Sequence, residues 1–215
     1  WFLENVRKDP DRTAAMYERA LTADPNNADL LGNYAWFLHN LRKDPDRTEA
    51  IYEHAITADP NNVNTLGSYA LFLSQAHPQD PDYAEAVYER AITADPTHAN
   101  IRGNYAQFLF AHRRDSDGER MVAQALSQTV DDQLLPVRAE CWFYLFAHSS
   151  ARRREAQKEL HQVIADRIST GDWSFEPNLQ RLREDADPRL QLLEVLAAVL
   201  AGDELPSKLS QFQDW

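Results

Sequence analysis

Apolar residues recur along this chain with a helical period, and the polar residues between them mark where each helix stops. Leu31, Tyr34, Ala35 and Leu38 fall at i, i+3, i+4 and i+7, one stripe of a helix. Asn27 stands just before it, with a side-chain oxygen suited to cap the first turn. After the polar run Arg42-Lys43-Asp44-Pro45-Asp46, a second stripe follows in Thr48, Ile51, Tyr52, Ala55 and Ile56. Asp44 suits the cap of this second helix because the proline after it favours an extended conformation. Pro45 in the first turn gives up only an N–H that has no helical partner. Pro60 stops the helix near Asp59. Small residues at Ala35 and Ala55 let the two helices approach closely, with Tyr34 and Tyr52 filling the space beside them.

The hairpin is copied. Ala-Asp-Pro stands at residues 23–25, 58–60 and 94–96; Tyr17-Glu18-Arg19-Ala20 returns as Tyr52-Glu53-His54-Ala55 and Tyr88-Glu89-Arg90-Ala91. Gly32-Asn33-Tyr34-Ala35 returns as Gly67-Ser68-Tyr69-Ala70 and Gly103-Asn104-Tyr105-Ala106, and Asp9-Pro10 and Asp80-Pro81 repeat the turn. Self-similarity at 35 and 36 residues predicts stacked helical hairpins, each burying its apolar face against the next. Residues 1–13 match residues 36–48 almost throughout, so the sequence is expected to open inside a first helix and to belong to a longer protein.

Beyond residue 110 the copies degrade. A second helix near Ser116 to Thr129 keeps Ala125-Leu126 and loses the closing Asp-Pro. Residues 135–148 are apolar on most sides and predict a helix buried on most sides, with an amphipathic partner over 151–168. After Gly171 the pattern predicts short helices near Pro177–Glu184, from Pro188 to Ala201 and towards Trp215, a non-repeating cap over the last apolar face. Trp173, Phe175, Phe212 and Trp215 are read as cap packing, or else as a docking element.

The chain resembles the tetratricopeptide repeat family. That family's unit has a small residue in each helix at the crossing, an aromatic in the second helix and a closing proline; Ala35, Tyr52, Ala55 and Pro60 match, as do Ala70, Tyr88, Ala91 and Pro96. The extra one or two residues per unit are expected in the hairpin turn, and Tyr34-Ala35 replaces the usual leucine-glycine pair. The resemblance implies an all-α fold, a right-handed α-solenoid of antiparallel hairpins with a helical C-terminal cap. It divides the chain into an array over 1–130, a degenerate fifth hairpin over 131–170 and a cap over 171–215. It further implies that first helices line a groove. The inward stripe would pass through Asn33, Trp36, His39 and Asn40, then Ser68, Leu71, Ser74 and Gln75, then Asn104, Gln107 and Phe110, with Trp1, Glu4 and Asn5 at the beginning of the chain. Amides suit the backbone of an extended peptide, and tryptophans supply apolar anchors. The expected partner is a protein or peptide. The lysines and arginines with which one subclass clamps a terminal carboxylate are absent from the stripe.

Composition narrows the chemistry. A formal net charge of −12 argues against a sequence-independent nucleic-acid binder, because phosphate neutralisation needs a basic surface. The one basic run, Arg152-Arg153-Arg154 with Lys158, reads as a solvated helix start or a site for an acidic group. One cysteine, Cys141, excludes an internal disulfide and fits a reducing, cytoplasmic setting. The longest aliphatic stretch, Leu190 to Leu200, contains Glu194 and is too short to cross a bilayer. Scattered histidines and the absence of a phosphate loop predict no catalytic residues, metal or cofactor. The expected function is an interaction scaffold. The alternatives are a sensing arm of a larger enzyme with its catalytic domain upstream, and a half-a-TPR type RNA-processing scaffold, suggested by Tyr17-Glu18-Arg19-Ala20-Leu21.

Overall fold

The computed structural model describes residues 9–129, 134–171, 173–213 and 215. Trp1, Glu4 and Asn5, expected on the inward stripe, lie outside the described residues. The described chain is all-α and forms two compact units, Trp1–Pro96 and Thr97–Trp215.

The first unit contains α1 (Pro10–Ala23), α2 (Ala28–Phe37), α3 (Pro45–Ala58), α4 (Val63–Ala76) and α5 (Pro81–Ala94). Second helices start on Asp-Pro: Asp9 Oδ1 accepts from the Arg12 N–H at 2.9 Å and Asp44 Oδ1 from that of Arg47 at 3.2 Å. Asp80 begins α5 from the same dipeptide without a side-chain cap bond, so the device is copied in sequence but not in hydrogen bonding. First helices start on asparagine, with Asn27 Oδ1 accepting from Leu30 N and Asn62 Oδ1 from Thr65 N, each at 3.0 Å. Ala35 and Ala55 are both fully buried where α2 and α3 pack. The recurrent glycine has a reason in the stacking of first helices: a Cβ on Gly32 would stand 2.5 Å from Thr65 Oγ1 of α4.

One expectation about the longer repeat needs refinement. In the α2–α3 hairpin the surplus length is taken up inside the helix, as a π-helical turn over Leu38–Arg42, before Lys43 at φ 54° closes it. Wider turns of this kind absorb an inserted residue without ending the helix.

The second unit contains α6 (Ala99–Ala111), α7 (Asp115–Gln128), α8 (Leu135–His148), α9 (Arg153–Ala165), α10 (Glu176–Glu184), α11 (Leu190–Ala201) and a 3₁₀ turn over Pro206–Gln211. Helices α6 and α7 form one hairpin and α8 and α9 the next, with α8 packed on both members of the first. Every residue from Ala139 to Ala147 is buried, so α8 is the core helix of this unit. The sequence-based borders at 130 and 170 follow the decay of the repeat, whereas the compact units follow packing.

Candidate functional site

Two positions of the expected stripe, His39 after α2 and Gln75 of α4, come together in the first unit. His39 Nε2 and Gln75 Oε1 are hydrogen-bonded at 3.0 Å, and the His39 ring meets Phe72 edge-on at 5.2 Å. Two successive first helices are thereby tied through their polar stripe. Burial lowers the His39 pKa, with the Lys43 charge acting in the same direction and the Gln75 bond opposing, so this imidazole is neutral at neutral pH. Asn40 turns back and donates from Nδ2 to the Trp36 carbonyl at 3.0 Å. Trp36 itself is 39% exposed, and Asn33, one turn before it, is also exposed. Ser68 stands beside the Tyr52 phenol, whose pKa is pushed up by burial, and Leu71 is half-buried. An exposed indole with the amides of Asn33 and Asn40 one turn before and after it on the same helix can seat an apolar side chain and bond a peptide backbone.

The second unit treats the same positions differently. Asn104 is half-buried, and Gln107 is buried at 3% exposure. Gln107 Nε2 donates to the Ser174 carbonyl at 2.7 Å, and Asn178 Nδ2 donates back to the Gln107 carbonyl at 3.2 Å. Arg181 reaches the Phe110 carbonyl at 2.6 Å and forms an ion pair with Asp115. The expectation that Gln107 and Phe110 meet a partner is corrected: Ser174 and Asn178 of the same chain bond Gln107, and the Phe110 ring is buried against Gly118 of α7 and Tyr144 and His148 of α8. Helix α10 lies on α6 because Phe175, Leu179 and Leu182 need burial and find it in the cluster around Phe143 and Leu193.

The cap aromatics pack as the sequence suggested. Phe175 packs tilted on Phe143 with ring centres 4.2 Å apart, and Trp173 Nε1 donates to the Tyr144 hydroxyl at 2.7 Å. Trp215 sits 4.4 Å from the His161 ring and 5.7 Å from Phe146. The basic run is partly consumed internally. Arg152 pairs with Glu155 at 2.8 Å and lies over Trp142, while Arg153 donates to the Phe146 carbonyl. Arg113 pairs with Glu184 and Asp185, and Arg114 with Asp117.

Sequence reasoning missed Asn178, Arg181 and Glu140. A signal was present: Leu109-Phe110-Ala111-His112 returns as Leu145-Phe146-Ala147-His148, which places Glu140 at the position of Asn33, Ser68 and Asn104. Glu140 is buried without a hydrogen-bond partner among the described residues, and burial pushes its carboxyl up to about 8. Cys141 beside it is fully buried, and burial raises its thiol far above the reactive range.

Two tetratricopeptide repeat models match this chain, one over residues 16–49 and one over residues 75–141. It is a tetratricopeptide repeat protein. No curated protein matches the chain. The matched segments span α1 to α3 and α4 to α8, so the family assignment includes hairpins of both units. Repeats of this family generally mediate protein–protein interaction, and the family is typically non-catalytic. Among the described residues of this tetratricopeptide repeat protein, no group of three or more His, Cys, Asp or Glu side chains is arranged to hold a metal ion. None of its described helices is long and apolar enough to cross a membrane.

Proposed function

We propose that this protein is an interaction scaffold whose first unit binds an extended protein or peptide segment along α2 and α4. Asn33, Trp36, His39, Asn40, Ser68, Leu71 and Gln75 form the contact surface. Trp36 is the anchor, and the exposed amide of Asn33 is available to the partner backbone. The observation that carries the reading is a large indole left 39% exposed on a helix whose other aromatics are buried. Exposed aromatics of this kind dominate binding energy when a partner desolvates them. Asn104 and Gln107 belong to the capped unit and act in its stability. The 1–130 array, the 131–170 hairpin and the 171–215 cap then divide the work: binding, support and closure.

The test is selection of binders to the full chain from a random peptide library, followed by titration of the selected peptides. Trp36→Ala should weaken them by tenfold or more, with the helical circular dichroism signal unchanged. Undiminished binding by Trp36→Ala would refute the reading.

A further inference from the structure

Helix α2 leaves three residues exposed: Asp29, Asn33 and Trp36. They stand at i, i+4 and i+7, so a carboxylate, an amide and an indole follow one another along a single face. Leu31, Tyr34, Ala35 and Phe37 are buried on the other faces. Asp29 is also the one formally charged side chain of α2, and α4 carries none.

That carboxylate is held in place. Asp29 Oδ1 accepts from Asn62 Nδ2 at 2.7 Å, and Asn62 is itself fixed as the cap of α4, where its Oδ1 accepts from Thr65 N. No cation pairs with Asp29 among the described residues. The first turn of a helix suits a negative charge, yet the same place is filled by Asn64 on α4 and Asn100 on α6, and both helices form. The charge at Asp29 is therefore more than the helix requires. Acidic side chains also outnumber basic ones over residues 1–96, so the field around this unit favours a cationic ligand. Spacing adds a second constraint. Asp29 and Trp36 are separated along the helix by a rise of about 10 Å. An extended chain advances about 3.3 Å per residue, so a ligand lying along this face passes from carboxylate to indole in about three residues.

We propose that the segment bound on α2 is basic. It places a lysine or arginine against Asp29 and, three residues along, an apolar side chain against Trp36, while its backbone bonds Asn33 between them. The inference rests on the reading of α2 and α4 as the contact surface and adds the charge and spacing of the ligand.

The probe is a random decapeptide library, acetylated and amidated so that no terminal charge can stand in for a side chain. Binders selected on the full chain are titrated by fluorescence anisotropy against the wild type, Trp36→Ala and Asp29→Asn. Asparagine keeps an acceptor for Asn62 and is what α4 itself uses at this place, so the thermal midpoint should hold. Binders that need Trp36 should carry lysine or arginine three positions from an apolar residue and weaken about twofold to fivefold with Asp29→Asn. Glutamine in place of that basic residue should weaken them by the same factor, after which Asp29→Asn should do nothing further. Equal weakening of the basic and glutamine peptides by Asp29→Asn would make Asp29 structural and overturn the proposal. Trp36-dependent binders without the basic residue would also overturn it and leave the α2–α4 surface standing. Binders indifferent to Trp36, or none at all, would remove that surface and this proposal with it. A dimer in sedimentation equilibrium that Asp29→Asn dissolves would overturn it too, because the occupant would then be another copy.

Discussion

Trp36 on α2 and Gln107 on α6 occupy the same place in the repeat, and their fates are opposite. Trp36 faces solvent beside the open amide of Asn33, whereas Gln107 is sealed beneath Ser174 and Asn178. The repeat dictates where a side chain points. Whether that direction ends in water or in protein depends on what the rest of the chain brings to it. In the second unit the chain supplies its own occupant: an extended stretch whose carbonyl takes the Gln107 amide, then a helix that buries Leu179 and Leu182. That arrangement is an internal example of the chemistry proposed for the first unit, an amide bonding a partner's backbone while apolar side chains supply the area.

The contrast can be broken most strongly in the sealed unit. Phe143→Ala removes a fully buried ring that meets Phe175, so it should cost about 3–5 kcal/mol, seen as a lower denaturant midpoint. Within the first unit, Ala55→Leu should cost about 1–3 kcal/mol by overpacking the α2–α3 crossing. Ala20→Leu at the matching place should change stability by less than about 0.5 kcal/mol, because nothing described presses on it. Equal losses at the two alanines would show that Ala20 is covered after all.

The covered stripe also predicts a pH dependence. Burial pushes the Glu140 carboxyl up to about 8, so folding favours its protonated form. Its stabilising contribution is complete below the unfolded carboxyl pKa and is lost as pH rises through about 8. His148 has the opposite sign: burial, with Arg181 nearby, pulls its imidazole down to about 3. Its contribution is complete above the unfolded value of 6.5 and is lost as pH falls towards 3. Between pH 6.5 and 8, Glu140 is therefore the group of the two that titrates against folding, and stability should fall by about 2 kcal/mol across that interval. Glu140→Gln should flatten the slope in chemical denaturation. A smaller effect is expected from Gln107→Ala, about 1 kcal/mol lost with the Ser174 carbonyl left without its donor. A loss of peptide binding with stability intact would instead return Gln107 to the contact surface.

Hairpin boundaries were legible in the sequence because they rest on local chemistry. Asp9 and Asp44 cap as their Asp-Pro setting suggests, and the α3 stripe through Thr48, Tyr52 and Ala55 is buried as its spacing implies. The π-helical turn at Leu38–Arg42 was not legible, since an extra residue can lodge in a helix or in the loop after it with the same composition. Nor was the fate of Gln107. Its cover comes from Asn178, 71 residues on, and no periodicity within α6 records which distant segment returns to it. The pairing of equivalent places on successive first helices followed from the copied register, as the His39–Gln75 bond illustrates.

Cys141 gives the second unit a reporter of its own. The lone sulfhydryl sits at the centre of α8 with no surface open to solvent, so an alkylating reagent can reach it only when that helix is uncovered. The rate of modification in native buffer then measures how often the Thr97–Trp215 half breathes, while the other half, which holds no thiol, contributes nothing to the signal.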